Sequence, residues 1–172
     1  KYGKGKERKT ELRIFDTIDA TKVAVANEKF YANFEEGFIG TSLKKDQYLF
    51  DCSDIDDIIT FQKDGTMKVV KVEPKTFIGK NIVHVAVWKK NDKRTVYNMI
   101  YREGRDGPFY MKRFSVTGVT RNNDYKLASD QKGSEMLYFS ANPNGEAESV
   151  TVLLKPNARI RKNKIELDFS EL

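Results

Sequence analysis

The residues of this chain that could perform chemistry are few. The 172 residues include one histidine, His84, and one cysteine, Cys52, which are too few soft ligands for a structural zinc site. His84 lies in a valine-rich segment, and a single histidine gives no indication of a Ser-His-Asp or Cys-His arrangement. The sequence therefore predicts no catalytic residue, no metal site and no cofactor.

Two short segments have the composition of ligand sites but not the spacing. Asp51, Asp54, Asp56 and Asp57 could offer oxygens to a divalent cation, but they are not spaced as in an EF-hand loop. They precede a predicted strand, where aspartates commonly accept hydrogen bonds from turn amides. The run GKGK at residues 3–6 lacks the full phosphate-loop spacing and is not followed by Ser or Thr. We interpret these segments as a turn and a linker.

Basic side chains interleaved with aromatic ones are the remaining chemical pattern. Lys68 and Lys71 lie on the second strand of one predicted hairpin, and Lys112 and Arg113 lie on the corresponding strand of the next. Further basic residues follow the hairpins: Lys44, Lys45, Lys89, Lys90, Arg121, Lys126, Lys155, Arg159, Arg161, Lys162 and Lys164. At corresponding places on successive units, such cations would form a stripe for the phosphate backbone of duplex DNA. The pattern is equally consistent with lysines on sheet edges that only prevent aggregation.

The elements that would position these cations are strands. Four hairpins are predicted. The first joins strands 22–26 and 29–34 through the turn Asn27-Glu28, and the second joins 58–62 and 66–72 through Asp64-Gly65. The third joins 95–101 and 109–116 through residues 103–107, and the fourth joins 135–140 and 149–154 through residues 142–145. Each hairpin is followed by a further short stretch: 41–50, 81–88, 119–127 and 158–169. No segment has a sustained helical period, so the sequence predicts an all-β fold of four antiparallel units.

A regular glycine spacing suggests that these units repeat. Gly40, Gly79 and Gly118 are separated by 39 residues each, and one more step reaches Asn157. A period near 40 residues suits propeller blades, in a small closed propeller or an open array. The alternative is a β-sandwich in which the spacing is accidental.

Composition and charge limit the possible classes of protein. Hydrophobic residues make up 39% of the chain and aromatic residues 12%, which excludes wholesale disorder, and no apolar run is long enough for a membrane helix. Of the net formal charge of +6, residues 1–13 carry +4 and residues 14–172 carry only +2. We therefore expect a basic linker over 1–13 and one β domain over 14–172. A single cysteine fits a reducing cytoplasm.

Several segments resemble one known family. They are ERKTELRIFDTIDATKVAVANEKFYANFEEGFIGTSLKKD, DCSDIDDIITFQKDGTMKVVKVEPKTFIGKNIVHVAV and FYMKRFSVTGVTR. Over nearly the whole chain they are similar to the C-terminal region of the bacterial type IIA topoisomerase A subunit, of the topoisomerase IV type. IITFQKDGTMKVVKV resembles the recurring hairpin of that family, in which a basic pair follows a Gly-aromatic turn. Lys112-Arg113 reproduces the pair, Lys68 keeps one member, and the last hairpin, ESVTVLLK, lacks it.

The resemblance implies a β-pinwheel, a propeller-like array of about four antiparallel blades that exchange strands, here open or partial. It implies a non-catalytic domain that binds and bends duplex DNA around a basic rim and helps select the DNA segment for strand passage. The implied partners are duplex DNA, a second copy of the A subunit, and the ATPase B subunit, without a membrane. The implied location is the bacterial cytoplasm, in association with the nucleoid.

One departure from the family bears on the type of enzyme. Gyrase-type enzymes carry a QRRGGKG-like basic box in this domain, and KYGKGKERK at the start of this chain is similar only in composition. This favours the topoisomerase IV type over the DNA-wrapping domain of a gyrase A subunit, which stays an alternative. A second alternative is a propeller-type protein-interaction scaffold, because residues 14–172 are nearly neutral. Residues 168–172 fall in a predicted strand, so we expect the domain to be truncated at its C-terminal end.

Overall fold

The computed structural model of the chain describes Gly5, residues 26–155 and residues 163–172. The strands are β1 (Glu28–Asn33), β2 (Phe38–Gly40), β3 (Gln47–Cys52), β4 (Asp57–Gln62), β5 (Thr66–Lys71), β6 (Thr76–Phe77), β7 (Ile82–Trp88), β8 (Val96–Arg102), β9 (Phe109–Phe114), β10 (Asp124–Lys126), β11 (Glu135–Asn142), β12 (Ser149–Leu153) and β13 (Lys164–Asp168). One 3-10 helix, Phe169–Glu171, follows β13. The prediction of an all-β fold is confirmed.

The strands form four separate antiparallel sheets. The first sheet has the order β3-β1-β2-β6, the second β10-β5-β4-β7, the third β11-β8-β9, and the fourth consists of β12 and β13. Within the described residues none of these sheets closes on itself. This arrangement confirms the expectation of an open β-pinwheel rather than a single β-sandwich.

Neighbouring sheets exchange strands. β6 lies between β5 and β7 in sequence, yet it pairs with β2 of the first sheet, where Phe77 faces Phe38. β10 lies between β9 and β11, yet it pairs with β5 of the second sheet, where Asp124 faces Lys68. The first two sheets are therefore each completed by a strand from the following unit.

Two of the predicted hairpins are confirmed. β4 and β5 pair around Asp64-Gly65, and the Gly65 amide donates to the Gln62 carbonyl over 2.9 Å. β8 and β9 pair around residues 103–107, and the Glu103 amide donates to the Pro108 carbonyl over 3.0 Å. Both turns lie where the sequence provides glycine and aspartate between alternating strand residues.

The other two predicted hairpins are wrong. Glu28 is not a turn residue, because it begins β1 and faces Cys52 of β3; predicted strand residues 22–25 lie outside the described part of the chain. Residues 142–145 do form a turn, closed by a 3.0 Å bond from the Gly145 amide to the Asn142 carbonyl. However, β11 pairs with β8 and β12 pairs with β13. The predicted final strand over 168–172 is also wrong beyond Asp168, where the 3-10 helix begins.

The equal glycine spacing does not mark equivalent positions. Gly40 is the last residue of β2, Gly79 follows the exchanged strand β6, and Gly118 lies between β9 and β10. The glycines that do recur are Gly37 and Gly65, which precede β2 and β5 with φ of 83° and 78°. A Cβ on Gly37 would lie 2.1 Å from the Gly79 carbonyl oxygen, so this turn requires glycine for both conformation and space.

The second sheet lies between the other two large sheets, and its central strand is buried on both faces. Ile58 of β4 packs with Phe30 and Ile39 of the first sheet. The next residue, Ile59, belongs to the cluster that contains Trp88 and Tyr97. Successive strand residues point to opposite faces, and β4 is buried without interruption from Ile58 to Phe61, Thr60 included, rather than at alternate positions. This packing holds the three large sheets together as one array.

No helix in the described part of the chain is long and apolar enough to cross a membrane.

Candidate nucleic-acid interface

Six of the predicted basic residues are exposed and not engaged in ion pairs with other described residues: Lys44, Lys45, Lys71, Lys89, Lys90 and Lys155. Lys44 and Lys45 lie in the loop between β2 and β3, Lys71 ends β5, and Lys155 follows β12. The ion pairs in the described ranges involve other cations. A lysine in this state keeps its charge available to a polyanion in solution.

Two predicted cations of the second sheet are paired across the strand exchange. The Lys68 ammonium lies 2.8 Å from Asp124 of β10, and its side chain is only 21% exposed. The Arg121 guanidinium donates to both oxygens of Asp57, over 2.8 and 3.0 Å, in a bidentate arrangement. These pairs join the residues around β10 to β4 and β5, so both cations have a structural role that does not depend on DNA.

Lys112 and Arg113, the basic pair of the resemblance, are half-buried and bonded within the chain. The Lys112 ammonium donates to the Leu127 carbonyl and lies 5.1 Å from the centre of the Tyr101 ring. The Arg113 guanidinium donates to the carbonyls of Gly145 and Glu146 over 2.8 and 3.2 Å. Their backbone neighbours are in a regular strand, so the pair lies where the sequence predicts, but its donors point to protein acceptors. Contact of this pair with DNA stays a prediction.

A buried polar network lies behind Arg113. Asn98 is fully buried; its side-chain oxygen accepts from Arg113 over 3.1 Å, and its amide donates to Glu148 over 2.7 Å. Tyr138 donates to the other Glu148 oxygen over 2.9 Å, and Ser140 also donates to this carboxylate. Burial raises the pKa of Glu148, but the hydrogen bonds from Asn98, Ser140 and Tyr138 outweigh it and the pKa is lowered. The network fixes the residues between β11 and β12 against the third sheet.

The remaining predicted cations are Lys126, whose ammonium lies 2.8 Å from the Asp64 carboxylate, and a group near the C-terminal end. Lys164 begins β13, and its ammonium lies 2.6 Å from the Glu166 carboxylate on the exposed side of the strand. Arg159, Arg161 and Lys162 lie outside the described residues, as does the basic linker over 1–13 apart from Gly5. Their role stays a prediction.

Other exposed basic residues were not selected from the sequence. Lys93 and Arg94 extend the pair Lys89-Lys90 in the connection between β7 and β8. Lys75 lies 4.2 Å from the centre of the Phe38 ring, across the first strand exchange. Of the basic run KKNDKR, only Lys89 and Lys90 are predicted from the sequence to belong to the interface.

The structure offers little for catalysis in its described part. No group of three or more His, Cys, Asp or Glu side chains is close enough to hold a metal among the described residues. Cys52 is buried, and this burial raises the pKa of its thiol to about 11. In the acidic segment, Asp56 accepts from the Ser53 amide over 2.8 Å, which confirms the interpretation of this segment as a turn.

The fold and the exposed cations define a class of protein: an open, strand-exchanged β-pinwheel with lysines on its surface. A family described as "Topoisomerase C-terminal domain, Bacteroidota" matches residues 29–172, and the chain belongs to this family. The chain is also similar to the A subunit of DNA topoisomerase 4 from Borreliella burgdorferi, at 31% identity over 144 residues. This alignment covers 83% of the chain but only 22% of the relative. No solved structure matches the chain.

Proposed function

We propose that this chain is a non-catalytic domain that binds and bends duplex DNA in a type IIA topoisomerase of the topoisomerase IV type. There it would help to choose the DNA segment that the enzyme passes. The observation that carries the proposal is the set of exposed cations (Lys44, Lys45, Lys71, Lys89, Lys90 and Lys155) distributed over a pinwheel of this family. Phosphate contacts of this kind give affinity without base specificity, and the ease of bending then sets any sequence preference.

The two kinds of cation would have different roles in this function. Exposed lysines would neutralise phosphates and release counterions. Lys112 and Arg113 would act mainly by positioning, because their donors already bond to carbonyls of the chain. Replacing a positioning residue should lower the stability of the domain, while the folded protein should bind DNA with nearly the same affinity.

The proposed setting is the bacterial cytoplasm, in association with the nucleoid. The proposed partners of the full-length protein are duplex DNA, a second copy of the A subunit, and an ATPase B subunit. The family and the similarity to a topoisomerase 4 protein are the support for this setting. The chain corresponds to 22% of that relative, so strand cleavage and passage would depend on other parts of the enzyme.

The proposal is tested by the fluorescence anisotropy of a labelled duplex of ~40 bp across a salt series, with the chain and with a version that lacks residues 1–13. Neutralisation of Z phosphates predicts that log K falls with log salt at a slope of about −0.9Z. Four contacts from the exposed lysines would give a slope of about −3.6. Bending is measured separately, as the acceleration of ring closure by DNA ligase for a duplex of ~150 bp, about one persistence length.

Binding that survives the deletion and weakens steeply with salt supports a DNA surface on the blades. Binding that disappears with the linker assigns the affinity to residues 1–13 and contradicts the proposal for the pinwheel. The absence of any binding by both versions favours the alternative of a protein-interaction scaffold. If the chain binds the duplex but does not accelerate ring closure, DNA binding is supported and bending is excluded.

A further inference from the structure

Three connections between neighbouring sheets are equivalent in topology but differ in charge. Each leaves the edge strand of one sheet (β3, β7 or β11) and leads to the next: residues 53–56, 89–95 and 143–148. Residues 53–56 carry two aspartates and no cation, and residues 143–148 carry two glutamates and no cation. Residues 89–95 carry four cations and one carboxylate, a net formal charge of +3. We call residues 89–95 the basic connection.

The backbone of the basic connection is fixed by the protein. Asn91 has φ of 64°, and its amide donates to the Thr117 carbonyl over 2.8 Å. The one carboxylate of the connection, Asp92, accepts from the Thr95 hydroxyl over 2.7 Å and from the Arg94 amide over 2.8 Å. These bonds lower the pKa of Asp92 and direct its oxygens into the turn. The loop is therefore shaped before any ligand binds, which reduces the entropy that binding would cost.

The cations of the basic connection are presented outward. Lys89, Lys90 and Lys93 are exposed and form no ion pair with another described residue. Arg94 is also exposed, and its guanidinium donates to the Asn144 side chain over 2.9 Å, which leaves other donors available. With four cations in seven residues, this loop has more positive side chains than any other connection between strands in the described part of the chain.

A cleft lies beside this loop. Lys89 and Arg94 line a cleft of about 600 Å³ together with Thr95, Asn144 and His84. The buried Nε2 atom of His84 has no hydrogen-bond partner among the described residues. Asp92 and the apolar side chains of Ala86, Val87 and Tyr97 also line the cleft, so a phosphate would be held by the cations of the loop rather than by the cleft as a whole.

Protection of sheet edges does not explain this charge. β7 is an edge strand, as are β3 and β11, yet the connections that leave β3 and β11 carry no cation. The two equivalent connections are acidic, so a requirement for solubility common to all three does not explain the difference. At physiological salt, charges act over about 8 Å, so the local charge of each connection matters more than the net charge of the domain.

We propose that the basic connection, residues 89–95, is the principal phosphate-binding site of this domain for duplex DNA. The inference rests on the proposed function and names its site. The acidic connections on either side would repel the backbone, so the strongest contact with DNA would lie at the junction of the second and third sheets.

The test compares two triple variants with equal charge change in the anisotropy titration with a ~40-bp duplex. The first is K89Q/K90Q/K93Q in the basic connection. The matched control is K29Q/K80Q/K132Q, three exposed lysines on other elements without ion pairs to described residues. All six side chains are exposed, so both variants should fold, and unchanged circular dichroism and melting temperature verify this.

We expect the first variant to bind at least tenfold more weakly at 150 mM salt, with a salt slope smaller by about 2.7 if three phosphates are lost. The control should stay within about threefold of the unmodified chain. Equal losses in both variants would overturn the proposal, because net charge would then be sufficient. Unchanged binding by the first variant would overturn it as well, while leaving the proposed function intact. Failure of the unmodified chain to bind DNA would instead overturn the proposed function and the inference with it.

Discussion

The replacement Arg113→Gln separates a positioning role from a DNA-contact role. Its guanidinium donates to three acceptors: the Gly145 carbonyl over 2.8 Å, the Asn98 side chain over 3.1 Å and the Glu146 carbonyl over 3.2 Å. Hydrogen bonds from charged groups contribute about 1.5–3 kcal/mol each when buried. Because this side chain is only half-buried and glutamine can keep one weaker bond, we expect a total loss of about 3 kcal/mol.

The loss can be measured as a shift of the melting temperature. For a chain of this length, 1 kcal/mol corresponds to about 2–4 °C, so Arg113→Gln should melt roughly 6–12 °C lower. Arg113→Lys keeps the charge but cannot place donors on three acceptors at once, and we expect it to recover less than half of the loss. The control is Arg105→Gln, a chemically identical change at an exposed arginine, which should shift the melting temperature by less than about 2 °C.

DNA titration at a temperature where every variant is folded completes the comparison. A positioning residue predicts that the salt slope of Arg113→Gln equals that of the unmodified chain. A slope smaller by about 0.9, with no change in the melting temperature, would refute our reasoning and assign Arg113 to one phosphate. Full recovery of stability in Arg113→Lys would also refute it, because charge rather than geometry would then explain the effect.

Three further predictions concern single residues. Gly37→Ala should lower the free energy of unfolding by more than about 3 kcal/mol in urea titrations, because Gly37 has a positive φ and its Cβ would clash with the Gly79 carbonyl. The control, Gly118→Ala, has open space around it and should change this free energy by less than about 0.5 kcal/mol. Equal changes in the two variants would contradict the close contact at Gly37. Burial lowers the pKa of His84 below its unfolded value of about 6.5, so the unfolded state binds more protons and stability falls as pH decreases through 6.5. His84→Phe should remove this part of the pH dependence, measured by urea unfolding between pH 7.5 and 5.5, whereas an unchanged profile would assign it to other groups. The Cys52 thiol, buried and with a pKa raised to about 11, should not react with iodoacetamide at pH 8 until urea unfolds the chain; rapid alkylation under native conditions would show that this core opens locally.

The sequence predicts local structure well where turn chemistry decides it. Asp64-Gly65 specifies the β4–β5 hairpin because both residues tolerate the turn conformation and the flanking strands pair with each other. The turn at 142–145 also forms, yet β11 pairs with β8. A turn signal states that the chain reverses, but not which strands it then contacts. Pairings between distant strands depend on packing that no local window contains.

The same limit applies to the candidate site. Arg113 lies in the strand that the sequence predicts over 109–116, and it faces Asn98 of β8. Its acceptors at Gly145 and Glu146 are 32 and 33 residues away in sequence, so its role in positioning could not be predicted. Conversely, exposure of Lys44, Lys45 and Lys71 follows directly from their position in loops and at strand ends. The sequence indicates which residues are cationic, and only the fold shows which cations are already bonded.

The exchange of β6 and β10 has a consequence for the order in which the chain acquires its structure during synthesis. The first sheet needs Phe77 to face Phe38, and the second needs Lys126 to face Thr66. When the chain emerges from the ribosome from its N-terminus, the first sheet stays incomplete until well into the second unit, and the second until well into the third. No unit can mature alone, and each exposes an unpaired strand edge until the next arrives. Once β6 has left the ribosome it covers the edge of β2, but the edge of β5 stays exposed, so this aggregation-prone stage should end only when β10 has emerged as well.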